Sequence, residues 1–135
     1  MALARRITTP ALPEPPGATW SQALCLGDEL ILSGMTAHPI APGRPQDAQA
    51  QALDCLRKIG LLAQAAGGSL DNVVKLVVYV TDIAHKDAVA AARRHLLAPP
   101  YPASTLVAVG ALVFPDLLVE IDATVRLDVQ RSKMG

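Results

Sequence analysis

Glu120 and Asp122, two positions apart near the end of the chain, offer the clearest opening for proton chemistry. They fall where Leu117, Val119, Ile121, Ala123, Val125 and Leu127 alternate with Leu118, Glu120, Asp122, Thr124 and Arg126. Successive side chains of a strand point to opposite faces, so the two carboxylates share one. In a half-buried cleft, lost solvation raises a carboxyl pKa towards the range useful for acid–base work, and a like charge nearby adds to the rise. A solvated outer row of acids is the plainer reading of the same pattern.

Other polar groups are scattered. His38, in a proline-rich loop after Met35, can serve as a base or donor near neutral pH, or simply be an exposed loop histidine. Arg93 and Arg94 sit side by side on a predicted helix, and Arg126 shares the stripe of Glu120. Each is either a cation for an anionic ligand or an ordinary solvated or ion-paired side chain. Trp20 is the single tryptophan of a chain with 3% aromatic residues, and reads either as core or as a flat wall for a planar ligand. His38, His85 and His95 have no Glu or Cys at ligand spacing, so neither a metal nor another cofactor is expected. Cys25 and Cys55 form no CxxC pair and read as reduced, partly buried thiols.

Several elements must position these groups. Residues 1–16 read as an irregular arm, because Pro10, Pro13, Pro15 and Pro16 lack amide donors. Residues 20–26 and 29–35 read as strands joined at Gly27-Asp28, and 38–45 as a loop. Asp47 caps a helix to about residue 66, with Leu53, Leu56, Ile59, Leu62, Ala63 and Ala66 on one stripe. Gly67-Gly68 ends it. Residues 73–81 form a β-branched central strand, and a second helix over 86–97 stops at Pro99-Pro100. Strands over 103–109 and 117–127 follow. The boundaries expected are an arm at 1–16, one domain at 17–128 and a polar tail at 129–135.

At 135 residues the chain fits one core. Its 12 basic and 12 acidic residues cancel, which speaks against a broad basic field and hence against nucleic acid as partner. No segment reads as a signal peptide or a membrane span, so no membrane partner is expected and a cytoplasmic location is the default. The order ββαβαββ is an α+β layout, a mixed sheet with two helices on one face. Ile31, Val77 and Leu106 are expected on the other face. That apolar face needs a cover, and another subunit is the simplest one.

The segment Tyr101-Pro102-Ala103-Ser104-Thr105-Leu106-Val107, followed by Val119-Glu120-Ile121-Asp122, resembles the closing signature of the Rid (YjgF/YER057c/UK114) family, small proteins that hydrolyse reactive enamines and imines. Ser33-Gly34, the run Ala65-Ala66-Gly67-Gly68-Ser69-Leu70-Asp71-Asn72-Val73-Val74-Lys75 and Val80-Thr81-Asp82 add to it, so the likeness spans roughly residues 16–127. The resemblance implies a chorismate-mutase-like fold and a homotrimer with three clefts between subunits, each binding a small molecule. It places Glu120 as the proton shuttle, Ser104 and Thr105 as donors, and Trp20 as a wall where tyrosine is common. Around them it places Ser33, Gly34, Met35 (often glutamine) and Leu106 (often cysteine), with His38 and Arg93 as further candidates.

The departure is Ser104, which stands where the family carries the arginine that grips a substrate carboxylate. Serine lacks the permanently charged two-pronged fork. Losing that bond weakens an acid's binding by about 1.5–3 kcal/mol, roughly ten- to a hundredfold. The expectation is a divergent hydrolase whose ligand is neutral, or an acid held by another cation, in place of the usual 2-aminoacrylate or 2-iminobutyrate. The alternative is a non-enzymatic protein that binds a metabolite in the same cleft. Ribonuclease activity, attached to some family members, fits poorly with neutral charge and scarce aromatics.

Overall fold

The computed structural model describes residues 1–44 and 46–133; Pro45 of the predicted loop, and Met134 and Gly135 of the predicted tail, lie outside the described residues. In chain order the elements are β1 (Arg5–Ile7), β2 (Ala23–Leu26), β3 (Glu29–Met35), α1 (Ala48–Ala65), β4 (Val73–Val80), α2 (Lys86–Leu96), β5 (Ala103–Ala108) and β6 (Val119–Arg126). The expected ββαβαββ order is present, preceded by one more strand. β1 lies in the stretch read as an irregular arm, where Arg5, Arg6 and Ile7 pair antiparallel with Cys25, Leu24 and Ala23. It precedes the first proline, Pro10, so its amides are free to pair. β2 is shorter than the sequence pattern, beginning at Ala23 instead of Trp20.

The six strands run β1-β2-β3-β6-β4-β5. β4 and β5 are parallel and the other pairs antiparallel, which makes the sheet mixed. Both helices lie on one face. Leu30, Leu76, Val78, Val80, Ile121 and Val125 of the sheet meet Leu56, Ile59, Leu62, Val89 and Ala92 of the helices in a core that excludes solvent. Among the described residues no helix is long and apolar enough to cross a membrane.

The ends of α1 follow the chemistry of their residues. Asp47 accepts a hydrogen bond from the Ala50 amide at 2.8 Å, satisfying one of the donors a helix leaves free at its start. At the other end Gly67 takes a φ of +95°, its N–H donates to Gln64 O at 3.0 Å, and that of Gly68 donates to Ala63 O at 2.8 Å. This paired closure needs a residue free to adopt the left-handed region. One polar residue on the buried stripe of α1 escaped the apolar pattern. Gln51, with no exposure, donates to Asp116 O at 3.0 Å and accepts from the Leu118 amide at 2.8 Å, tying α1 to the entry of β6.

Of the residues expected on the uncovered face, Ile31 and Val77 lie there and Leu106 does not. β5 enters register with Leu76 opposite Ser104 and Val78 opposite Leu106, so Ser104 and Leu106 share the helix-covered side. Leu106 packs against the core, while Thr105 and Val107 take the outer face. Parallel register is set by where the α2 crossover delivers the chain, and the sequence Ala-Ser-Thr-Leu-Val-Ala has too weak an alternation to announce it. The uncovered face presents Ile31 at 38% and Val107 at 40% exposure beside Val77 and Tyr79.

The predicted tail is tied down where it is described. Arg131, its side chain 7% exposed, donates to Ala98 O at 2.7 Å, to Pro100 O and to Leu70 O at 3.0 Å. It thereby fastens the loop that leads into β5.

Candidate active site

The chemistry-bearing residues gather in two groups on opposite faces of the sheet. On the outer face, the Glu120 carboxylate lies flat against the backbone of Gly34. A Cβ placed on Gly34 would meet Glu120 Oε2 at 2.5 Å and Cδ at 2.7 Å, so only glycine admits this pose. Ser33 is locked beside it: its N–H donates to Gln22 O at 2.9 Å and its hydroxyl to Ser21 O at 2.6 Å. These bonds draw the 20–22 segment alongside β3. Trp20, at the head of that segment, is 54% exposed, which removes the core reading and leaves the indole as a free flat surface. Met35 is turned into the core, 6% exposed opposite Ile121, and brings only its backbone to this group.

Burial, and then the neighbouring charge of Asp122, hold the Glu120 pKa above the ordinary carboxylate range. Tyr79 stands opposite Glu120 in the β4–β6 register, and its hydroxyl donates to Asp122 Oδ2 at 3.2 Å. Asp122, then burial, then Glu120 push the phenol pKa up. Lys75 donates to Thr105 Oγ1 at 3.1 Å on the same face. Reading the residues singly missed Tyr79 and Lys75. Extending the β6 alternation across to β4 would have found both, since Lys75, Val77 and Tyr79 are spaced two apart.

The second group lies on the helix side, beyond the edge of the core. Arg93, Arg94, Tyr101, Pro102, Ser104 and Leu106 line an open depression of about 370 Å³. Arg93 Nη1 donates to Ser104 Oγ at 2.8 Å. Ser104 and Thr105, expected to act together, therefore point to opposite faces and cannot serve one ligand from one chain. His38 joins neither group; its ring stacks on Phe114 with centroids 4.0 Å apart, and Lys58 holds its loop by bonds to Thr36 O at 2.6 Å and His38 O at 3.0 Å.

Across β4 the register sets Glu120 level with Val107, three residues along β5 from Ser104, so two strand spacings and three residues of rise hold Glu120 and Ser104 roughly 14 Å apart, facing opposite ways. Among the described residues no group of three or more His, Cys, Asp or Glu side chains is arranged to hold a metal ion. Cys25 and Cys55 are free and buried, and burial pushes the Cys55 thiol up to about 12.

The comparisons with known proteins agree with this architecture. A family model described as endoribonuclease L-PSP matches residues 11–127. The crystal structure of a protein of unknown function from Pseudomonas aeruginosa is 52% identical, covers 96% of each chain and superimposes with a TM-score of 0.92. A Mycobacterium tuberculosis protein, a member of the highly conserved YjgF/YER057c/UK114 family, is 34% identical over 79% of this chain and 86% of its own, with a TM-score of 0.70. More distantly, the 2-iminobutanoate/2-iminopropanoate deaminase of Dermatophagoides farinae is 26% identical over 95% of this chain and 100% of its own length.

Proposed function

Given that the chain belongs to the endoribonuclease L-PSP family, the group of the YjgF/YER057c/UK114 and Rid proteins, we propose that it hydrolyses a small imine or enamine in clefts formed between the subunits of a homotrimer. The carrying observation is Glu120, a carboxylate with a raised pKa laid on the Gly34 backbone, next to Ser33, which bonds the segment headed by the exposed Trp20. In the reaction a C–O bond forms to water, the C–N bond breaks, and a carbonyl compound and ammonia leave. Glu120 takes a proton from the attacking water and passes it to nitrogen, then carries the hydroxyl proton of the carbinolamine to the departing nitrogen as the C–N bond breaks; an enamine first takes a proton at carbon to become the imine. A carboxylate titrating nearer neutrality performs this shuttle best. The backbone at Ser33-Gly34 and the Trp20 ring orient the substrate. With both cysteines kept as buried thiols, a reducing compartment such as the cytoplasm suits the protein. An endoribonuclease reading is less favoured, because Glu120 and Asp122 on the outer face repel a phosphate backbone.

The opposed faces supply the argument for assembly. One chain cannot bring the Ser104 depression to Glu120, but a second copy packed on the outer face can. Mixing two inactive proteins tests this. Glu120→Gln removes one half-site, and Ala90→Trp, at an α2 residue that also lines the depression, fills the other half. After denaturation and refolding together, random trimers should restore about one cleft in four and a matching fraction of imine hydrolysis. If the mixture stays as inactive as its components while sedimenting as a trimer, the shared cleft is wrong.

Gly34→Ala tests the local geometry. The new methyl displaces the Glu120 carboxylate, and hydrolysis should fall about a hundredfold with little change in thermal midpoint. Unaltered turnover would show that the pose on Gly34 is irrelevant to the chemistry.

A further inference from the structure

Arg93 and Arg94 are adjacent cations with no partner of opposite sign among the described residues. The ion pairs among the described residues give a carboxylate to Arg6, Arg57, Arg126 and Arg131, and none to Arg93 or Arg94. Both line the same depression, walled by the half-exposed Tyr101 ring and floored by Pro102 and Leu106. Arg93 is not loose there, since its bond to Ser104 Oγ fixes where one prong of the guanidinium points. A small apolar hollow with an aimed, unpaired guanidinium at its rim is complementary to a short acid: the carbon skeleton enters the hollow and the carboxylate meets the fork. Like charge between the two arginines adds to the gain, because an anion placed between them relieves their repulsion.

We infer that Arg93, reaching over from α2 and steered by Ser104, is the carboxylate anchor of this site, so that the substrates are imines or enamines of short carboxylic acids. Ser104 is then a positioning residue, acting through the guanidinium it holds. The missing charge at position 104 is supplied by the helix instead of the strand. This rests on the proposed cleft, and of the two expectations for a site without the strand arginine, a neutral ligand or an acid held by another cation, it selects the second.

Binding and turnover separate the two readings. Calorimetric titration with 2-oxobutanoate, the keto-acid product of 2-iminobutanoate hydrolysis, is compared with 2-butanone, its neutral analogue. The native protein should bind the acid more tightly than the ketone. Arg93→Met should weaken acid binding roughly ten- to a hundredfold and leave the ketone unchanged. Ser104→Ala should weaken the acid several-fold, with Ser104→Thr restoring it.

In turnover, with 2-iminobutanoate generated in situ by an amino-acid oxidase, Arg93→Met should raise KM far more than it lowers kcat. The imine formed by an amine oxidase from butylamine should be insensitive to the change. Arg93→Lys, which keeps a charge without the fork, gives an intermediate loss and stands in if the methionine variant fails to fold. Equal acid and ketone affinity in the native protein overturns the anchor. So does an Arg93→Met protein that discriminates as before, or one whose only defect is a looser trimer on sedimentation, the mark of a pairing with a neighbouring copy. In each of these cases a turnover still abolished by Glu120→Gln leaves the hydrolase reading standing. The reverse result, acid binding lost in Arg93→Met with turnover indifferent to Glu120→Gln, removes Glu120 as the proton shuttle and keeps the anchor.

Discussion

Imine hydrolysis should fall by about 10²–10⁴-fold in Glu120→Gln, the span that a positioned acid–base group contributes. The amide fits the same space against Gly34 and keeps an acceptor, so packing is preserved while proton transfer is lost. The pH profile carries the finer information. Hydrolysis needs Glu120 ionised to take a proton from water, and burial followed by Asp122 raises its pKa. The acid limb of kcat/KM should therefore lie above the ordinary carboxylate range. In Asp122→Asn the like charge is gone and the burial remains, so the limb should move to lower pH without disappearing. A limb unmoved by Asp122→Asn assigns the titration to another group. A Glu120→Gln protein as fast as the native one assigns the proton transfer to another group.

The largest loss of stability should follow from Gln51→Leu. The leucine matches the volume of the amide but withdraws one partner from the Leu118 amide and one from the Asp116 carbonyl. A buried backbone group left unsatisfied costs about 1–3 kcal/mol, so the pair amounts to roughly 2–6 kcal/mol. For a chain of this size that is a fall in thermal midpoint on the order of 10 °C. The comparison needs equal protein concentration, because the midpoint of any chain that associates depends on it. An unchanged midpoint in Gln51→Leu would mean that water or a shifted backbone satisfies both groups.

Gln51 also shows where sequence pattern stops being informative. Hydrophobic periodicity places α1, and Asp47 and Gly67 mark its ends, because caps and left-handed closures are local chemistry. A glutamine on the buried stripe looks like a breach of that pattern, and its partners lie 65 and 67 residues away. β6 was legible for the same reason as α1, since its alternation is strong and both its neighbours are antiparallel. β5 was not. Its face assignment depends on the span of α2 and the loop that Arg131 fastens, and Leu106 consequently points opposite to expectation. In the candidate site, the motif residues Glu120, Ser33, Gly34 and Ser104 were visible as types. The carboxylate resting on Gly34 and the arginine resting on Ser104 were not, because each joins residues distant in sequence whose contact only the fold decides.

The strand order leaves the sheet with two unlike borders. β1 is three residues long and carries Arg5 and Arg6, the kind of short, charged border that turns another strand away. β5, at the opposite border, offers six residues without a charge or a proline, and among the described residues no strand pairs with its outer edge. A filament grown by strand addition needs a receptive border at both ends of every copy. This sheet has one, so misassociation through its backbone stops at a pair of copies meeting at β5 and does not propagate.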